Sequence, residues 1–170
     1  MIVTIIMGAH ETTASAIAWA LRFLALNPGE TPDRAVVAEA LRLYPPGWII
    51  SREVDRTVTL GSHRLEEGAT VVMSPMVTHY LPEVWPQPHR FRPERFRGRT
   101  PPKGSYFPFG GGDRICIGER LAWVVSETAV EVISRSWSLE PLDPGPVRLR
   151  YLAALRPACG LPAVIRTQTR

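Results

Sequence analysis

The segment from Phe107 to Arg120, Phe-Pro-Phe-Gly-Gly-Gly-Asp-Arg-Ile-Cys-Ile-Gly-Glu-Arg, constrains this chain more than any other. An aromatic turn runs into three glycines. Arg114 precedes Cys116 by two residues, Gly118 follows it by two, and a helical pattern then begins. Glycines accept positive φ and let the backbone come close to a flat group. A cysteine at the start of a helix meets unpaired backbone N–H groups and the positive end of the helix dipole, both of which favour a sulfur anion. Arg114 can pair with an acidic group, and Phe109 can cover the sulfur. Other readings exist: the glycine run as a flexible linker or a phosphate-cradling loop, and Cys116 as an inert buried thiol. A phosphate loop calls for a preceding strand and a lysine or G-x-G-x-x-G spacing, and Pro108 and the lone cysteine suit neither.

The 170 residues suit one domain with a real core. The net charge of +4 is carried by arginines scattered along the chain, Lys103 being the only lysine. Scattered charge argues against a nucleic-acid surface, though a mildly basic face could meet an acidic redox partner. Cys116 and Cys159 show neither metal-pair spacing nor a disulfide framework, which fits a reducing compartment. Residues 1–7 are apolar but lack the basic start and cleavage site of a secretory signal, and no apolar run is long enough to span a bilayer. A cytoplasmic protein is expected, and the arginine- and alanine-rich composition points to a bacterial source.

Helical spacing of Ile2, Ile5, Ile6, Ala9, Ile17, Leu21 and Leu24 predicts one helix from Met1 to Leu26, stopped by Asn27-Pro28-Gly29. The polar cluster His10-Glu11-Thr12-Thr13 interrupts it. Threonine hydroxyls that bond back to carbonyls, with Gly8 nearby, predict a bent, locally opened helix. An acid and an alcohol at such a place can hold water and pass protons. A second helix is expected from Asp33 to Leu43, capped by Thr31 with Pro32 in its first turn. Glu39 and Arg42 share one of its faces; an exposed pair of this kind is worth only a few tenths of a kcal/mol. Strands are expected at Trp48–Ile50, Thr57–Leu60 and Thr70–Met73, with turns at Leu60-Gly61-Ser62 and Glu66-Glu67-Gly68. His79 reads as a satisfied structural group rather than a ligand. Arg97, Arg99 and Lys103 give a positive or simply solvated loop. A helix from Gly118 to Trp137 follows the cysteine. Strands at Val147–Leu152 and Leu161–Arg166 flank an Arg156–Gly160 turn, in which Cys159 is structural.

The cysteine segment resembles the haem-binding signature of the cytochrome P450 family, F-x-x-G-x-R-x-C-x-G, at Phe109, Gly112, Arg114, Cys116 and Gly118. Gly8-Ala9-His10-Glu11-Thr12-Thr13 is similar to that family's oxygen-activating motif, with Ala9 where glycine is usual and one methyl more in the oxygen pocket. Glu39-Ala40-Leu41-Arg42 followed by Pro45 resembles its E-x-x-R hallmark, and Pro93-Glu94-Arg95-Phe96 its P-E-R-F segment. The resemblance implies an α+β, mainly helical fold: the C-terminal part of the cytochrome P450 fold, with its small β-regions. It implies haem b, iron protoporphyrin IX, with Cys116 as the iron ligand and Arg114, Phe109, Gly110, Gly118 and Arg52 about the cofactor. Glu11 and Thr12 become the acid–alcohol pair that protonates dioxygen. Glu39, Arg42 and Arg95 become a buried clamp on the cysteine loop. Gly47 to Ile50 would line a pocket for an apolar small-molecule substrate, and a ferredoxin or flavoprotein reductase would donate electrons.

The resemblance covers the chain from within the oxygen-activating helix onward. It therefore implies a single incomplete haem-thiolate module over residues 1–170, without the N-terminal helices of the opposite haem wall. The helices the family inserts between Pro28 and Pro32 are also absent. Such a chain is expected to be a poor monooxygenase alone and to associate through exposed apolar faces. A catalytically inactive remnant that binds haem weakly is the alternative.

Overall fold

The computed structural model describes the backbone of residues 2–167 and the side chains of residues 8–167. Met1, the expected start of the first helix, lies outside the described residues, as do the side chains of Ile2, Ile5 and Ile6.

Helix α1 spans Ile2–Leu26 and α2 spans Arg34–Leu43. α1 is helical throughout, so the expected opening at the His10–Thr13 cluster is absent. The Thr12 hydroxyl does donate to the Gly8 carbonyl at 2.5 Å. A back-bond of that kind satisfies the hydroxyl without breaking the backbone ladder. α2 starts one residue later than expected, and its cap is Asp33 rather than Thr31: an Asp33 carboxylate oxygen accepts from the Val36 N–H at 3.1 Å. The core lies where α1 and α2 cross α4, Glu119–Ser136. Trp19 stacks on Tyr44 with ring centroids 3.8 Å apart, and Val36, Val37, Leu41, Trp123 and Val130 fill the space around them. Residues Ala35 to Leu43 are all buried, so α2 is the central helix and cannot be amphipathic in the usual sense.

Four two-stranded antiparallel sheets surround the helices. β1 (Ile50–Glu53) pairs with β4 (Thr70–Met73), and between them β2 (Val58–Leu60) pairs with β3 (His63–Leu65). The first strand begins two residues later than the apolar run Trp48–Ile50 suggests. The Trp48 carbonyl instead accepts from the Ser74 hydroxyl, and its indole N–H donates to the Leu152 carbonyl. After the short helix α3 (Pro75–Thr78), a long irregular stretch contains single 3-10 turns at Pro93–Arg95 and Gly112–Arg114. α4 gives way at Trp137 to an unexpected strand, β5 (Trp137–Pro141), which pairs with β8 (Ala163–Thr167). β6 (Leu149–Tyr151) pairs with β7 (Leu155–Pro157), so Arg156 and Pro157 belong to a strand rather than a turn. Arg22 of α1 is buried and donates to the carbonyls of Asp143 and Gly145, at 2.9 and 2.7 Å. Those bonds fix the loop between β5 and β6 on the helical core.

Candidate functional site

One cavity of about 440 Å³ draws together residues from six separate parts of the chain. α1 contributes Gly8, Ala9, Thr12, Thr13 and Ala16; α2 contributes Leu41; β1 contributes Ile50 and Arg52. The Pro46–Gly47 turn, the loop from Pro108 to Gly118, and Leu121, Ala122, Val125 and Ser126 of α4 complete the wall. The volume is within the range of small-molecule and cofactor sites, about 300–1,000 Å³. Thr12, Arg52, Phe109, Gly110, Arg114, Cys116 and Gly118, all singled out from the sequence, border it. Glu11 does not.

The loop owes its shape to its glycines. Gly110 and Gly112 have φ of +76° and +67°, values that side-chain-bearing residues rarely adopt. At Gly110 a Cβ would sit 3.6 Å from Ile50 Cδ1, and at Gly118 it would sit 3.9 Å from Cys116 Sγ. The Cys116 N–H donates to the Phe109 carbonyl at 2.9 Å, which folds the loop back on itself. Cys116 is exposed and lies two residues before Gly118, the N-cap of α4. The Phe109 ring packs against Trp123, 5.5 Å between centroids.

Two cationic groups face the cavity without an acid. Among the described residues neither Arg52 nor Arg114 has a carboxylate partner, and Arg52 donates only to the adjacent Ser51 carbonyl. Arg97, by contrast, is held by Glu30 and Asp33 at 2.8 and 3.0 Å, so it adds no free charge to the surface. The Glu11 carboxylate pairs with Arg156 of β7 at 2.8 Å, both half-exposed. One helical turn on, the buried Ser15 hydroxyl donates to the Leu155 carbonyl. No local pattern marks Arg156 as the partner of Glu11, because the two lie at opposite ends of the chain.

Glu39 and Arg42 are both fully buried and joined by paired bonds of 2.8 Å. Arg42 also donates to the carbonyls of His79 and Pro88, and Glu39 accepts the Arg92 N–H at 3.0 Å. Arg95 approaches Glu39 at 3.4 Å, but its Nε has no hydrogen-bond partner; its Nη2 donates to the Pro86 and Gln87 carbonyls. Gln87 has φ of +54°, so Arg95 braces a turn that favours glycine. The cluster thus ties α2 to residues 79–95. His79 is buried, and its burial lowers the imidazole from 6.5 to about 4.

An exposed cysteine beside glycines that admit a flat group, an apolar wall and two acid-free arginines define a site for a large apolar cofactor with acidic substituents and a metal open to sulfur. The Cytochrome P450 family profile matches residues 34–156, and the chain belongs to that family. Membership implies a haem cofactor, and the donor set of this cavity fits one. The chain is 34% identical to the cyclooctatin synthase of Streptomyces melanosporofaciens, over 88% of this chain and 39% of the relative. It is 31% identical to the cyclooctat-9-en-7-ol 5-monooxygenase of the same organism, over 83% of this chain and 37% of the relative. Its backbone superimposes on a six-coordinated cytochrome P450 from Thermus thermophilus with a TM-score of 0.87 and 40% identity, covering 96% of this chain and 47% of that one. The chain therefore spans less than half the length of these relatives. No helix among the described residues is long and apolar enough to cross a membrane.

Proposed function

We propose that this chain is a single haem-thiolate module supplying the cysteine-ligand wall of a monooxygenase, which inserts one oxygen atom of O2 into an apolar organic substrate. The observation that carries the reading is the convergence of Cys116, Arg114, Arg52 and Thr12 on one cavity. Bound there, haem would supply the site for dioxygen and for its reductive activation. Cys116 Sγ would hold the iron, and Arg52 and Arg114 would neutralise the propionates, a match of planar guanidinium to carboxylate. Gly110, at a φ that favours glycine, and Gly118, beside the sulfur, would let the backbone run close to the cofactor, and Phe109 would pack next to it. The proposed cofactor is haem b, iron protoporphyrin IX, as the family resemblance implies.

Thr12 keeps its hydroxyl proton on the Gly8 carbonyl and offers its oxygen lone pairs to water in the cavity. Glu11 is the acid of the pair; to reach the cavity beside Thr12 its carboxylate would have to leave Arg156, with which it pairs at 2.8 Å. Gly47 and Ile50, which border the cavity, would line the pocket for an apolar substrate. Electrons come from a ferredoxin or a flavoprotein reductase. Residues Glu39, Arg42 and Arg95 act as a structural clamp, not as catalysts.

Reconstitution with hemin, reduction and addition of carbon monoxide tests the reading. The strongly red-shifted Soret band of a thiolate-bound haem is expected, lost in Cys116→Ala and kept in Cys159→Ala. Histidine-type ligation, or no uptake of hemin, overturns it.

A further inference from the structure

The buried ion cluster and the cysteine loop share no direct polar bond among the described residues. Among the described residues no hydrogen bond or ion pair runs from the side chains of Glu39, Arg42 or Arg95 to residues 107–118. We propose that His79 is the positioning residue that connects them, so that the cluster sets the geometry of the cysteine loop through one imidazole ring.

The link is a continuous series of bonds. Arg42 Nη1 donates to the His79 carbonyl at 2.8 Å, and His79 Nδ1 lies 3.2 Å from the Arg42 carbonyl oxygen. On the other edge of the ring, Nε2 accepts the Phe107 N–H at 3.1 Å. The Phe107 carbonyl accepts the Gly110 N–H at 3.0 Å, and the Phe109 carbonyl accepts the Cys116 N–H at 2.9 Å. The partners dictate the tautomer: a carbonyl oxygen needs a donor at Nδ1, and an N–H needs a lone pair at Nε2. Only the neutral Nδ1–H form meets both demands. The ring cannot turn away, because Tyr106 stacks on it at 5.2 Å and Phe107 and Trp85 meet its edges at 5.5 and 6.3 Å. With both nitrogens engaged and the ring fully buried, His79 has no capacity left for a metal or for a proton relay.

The functional consequence rests on the reading of Cys116 as the haem ligand; the linkage itself does not. Two amide substitutions separate the two ends of the ring. Asn places a donor near Nδ1 and leaves the Phe107 N–H without an acceptor. Gln places an oxygen near Nε2 and restores that acceptor. In the hemin-free chain, His79→Asn should speed amide hydrogen exchange at Phe107, Gly110 and Cys116 by about ten- to a hundredfold, the factor that an unpaired buried N–H implies. His79→Gln should stay close to wild type at these positions. After hemin loading, the fraction of the reduced carbon monoxide complex in the red-shifted thiolate form should fall in Asn and recover in Gln. Equal acceleration across α2 and α4 would reduce His79 to core packing and overturn the proposal. Unchanged exchange at Cys116 in Asn would do the same. Where the Asn variant does not fold, the Gln variant decides: protection kept at both Phe107 and Cys116 supports the link, and protection lost at Cys116 sinks it. Altered exchange without a thiolate band in any protein, wild type included, would remove the haem reading and leave the link standing. A wild-type band that is equally strong in an exchange-altered Asn variant would overturn the transmission to the ligand.

Discussion

Replacing Glu39 by Ala leaves the Arg42 guanidinium charged and fully buried among carbonyl oxygens and the Tyr80 and Trp85 rings, with no carboxylate bonded to it. Breaking a buried pair in this way costs about 3–5 kcal/mol. At about 2–4 °C per kcal/mol for a chain of this size, the melting temperature should fall by about 6–20 °C. The i,i+4 pair Glu131–Arg135 is the control, since both of its side chains are largely exposed and its removal should cost under about 1 kcal/mol. Urea denaturation of Glu39→Ala beside Arg135→Ala checks the contrast; equal effects would refute the buried-cluster argument. His79 gives a second test at this scale. Its ring titrates at about 4 in the folded chain against 6.5 when unfolded, chiefly because burial disfavours the cation, with the Arg42 charge adding to the effect. Below pH 6.5 the unfolded chain takes up a proton that the folded one refuses. The contribution is therefore complete above pH 6.5 and is lost progressively down to about pH 4. The slope is about 1.4 kcal/mol per pH unit inside that window. Denaturation at pH 7, 6 and 5 should show His79→Gln with the shallower dependence, and identical slopes would contradict it. The sequence marks the Glu39–Arg42 pair on one face of α2, and Arg95 beside it by resemblance, but not the main-chain contacts that complete the cluster. Those depend on carbonyl oxygens of Pro88 and Arg90, which no side-chain pattern encodes.

Helices were the legible elements because their period is carried by many residues at once. The Val36, Val37, Ala40, Leu41 spacing of α2 and the Leu121, Ala122, Val125, Ala129, Val132, Ile133 spacing of α4 each mark a helix, although the side chains that α4 buries are Trp123, Ser126 and Val130. The strands were less so. β3, His63–Leu65, is three residues long and mostly exposed, so it has no buried face to write an alternation into the sequence. β5 exists because β8 pairs with it, a partner more than twenty residues further on, and ends at a proline that reads as a breaker. β7 was hidden in a segment rich in turn residues, and its register is set by β6 and by Ser15 of α1. Asp33→Ala removes the cap on the Val36 N–H and should cost about 1 kcal/mol. Thr31→Ala, at the position the sequence favoured as the cap, should cost less. Thermal unfolding of the two variants distinguishes them, and a larger loss at Thr31 would contradict the observed cap.

At the scale of the whole chain the accessible surface is 11347 Å². A compact monomer of this mass exposes about 8,300 Å². The excess of about 3,000 Å² far exceeds the roughly 800 Å² that one partner contributes to a standard interface. Much of it is apolar and contiguous with the cavity mouth: Ile117 is 99% exposed, and Leu121, Val124 and Val132 of α4 are 66%, 63% and 52% exposed. The matched relatives carry more than half their length outside the region this chain spans, which is enough polypeptide to cover such a face. An open mouth leaves water beside the sulfur and weakens every electrostatic contact in the cavity. Turnover by the isolated chain is therefore expected to be poor even where haem binds. The same face is expected to make the chain self-associate at about micromolar concentration, since an apolar area of this size is rarely left bare on a soluble monomer. Sedimentation velocity across a concentration series should show reversible growth in mass. Val124→Glu, on the exposed stripe but outside the cavity, should shift the distribution towards monomer while leaving hemin uptake intact. A wild-type chain that stays monomeric throughout the series would sink the argument from area, and loss of hemin binding in Val124→Glu would show that the stripe and the cavity are not separable.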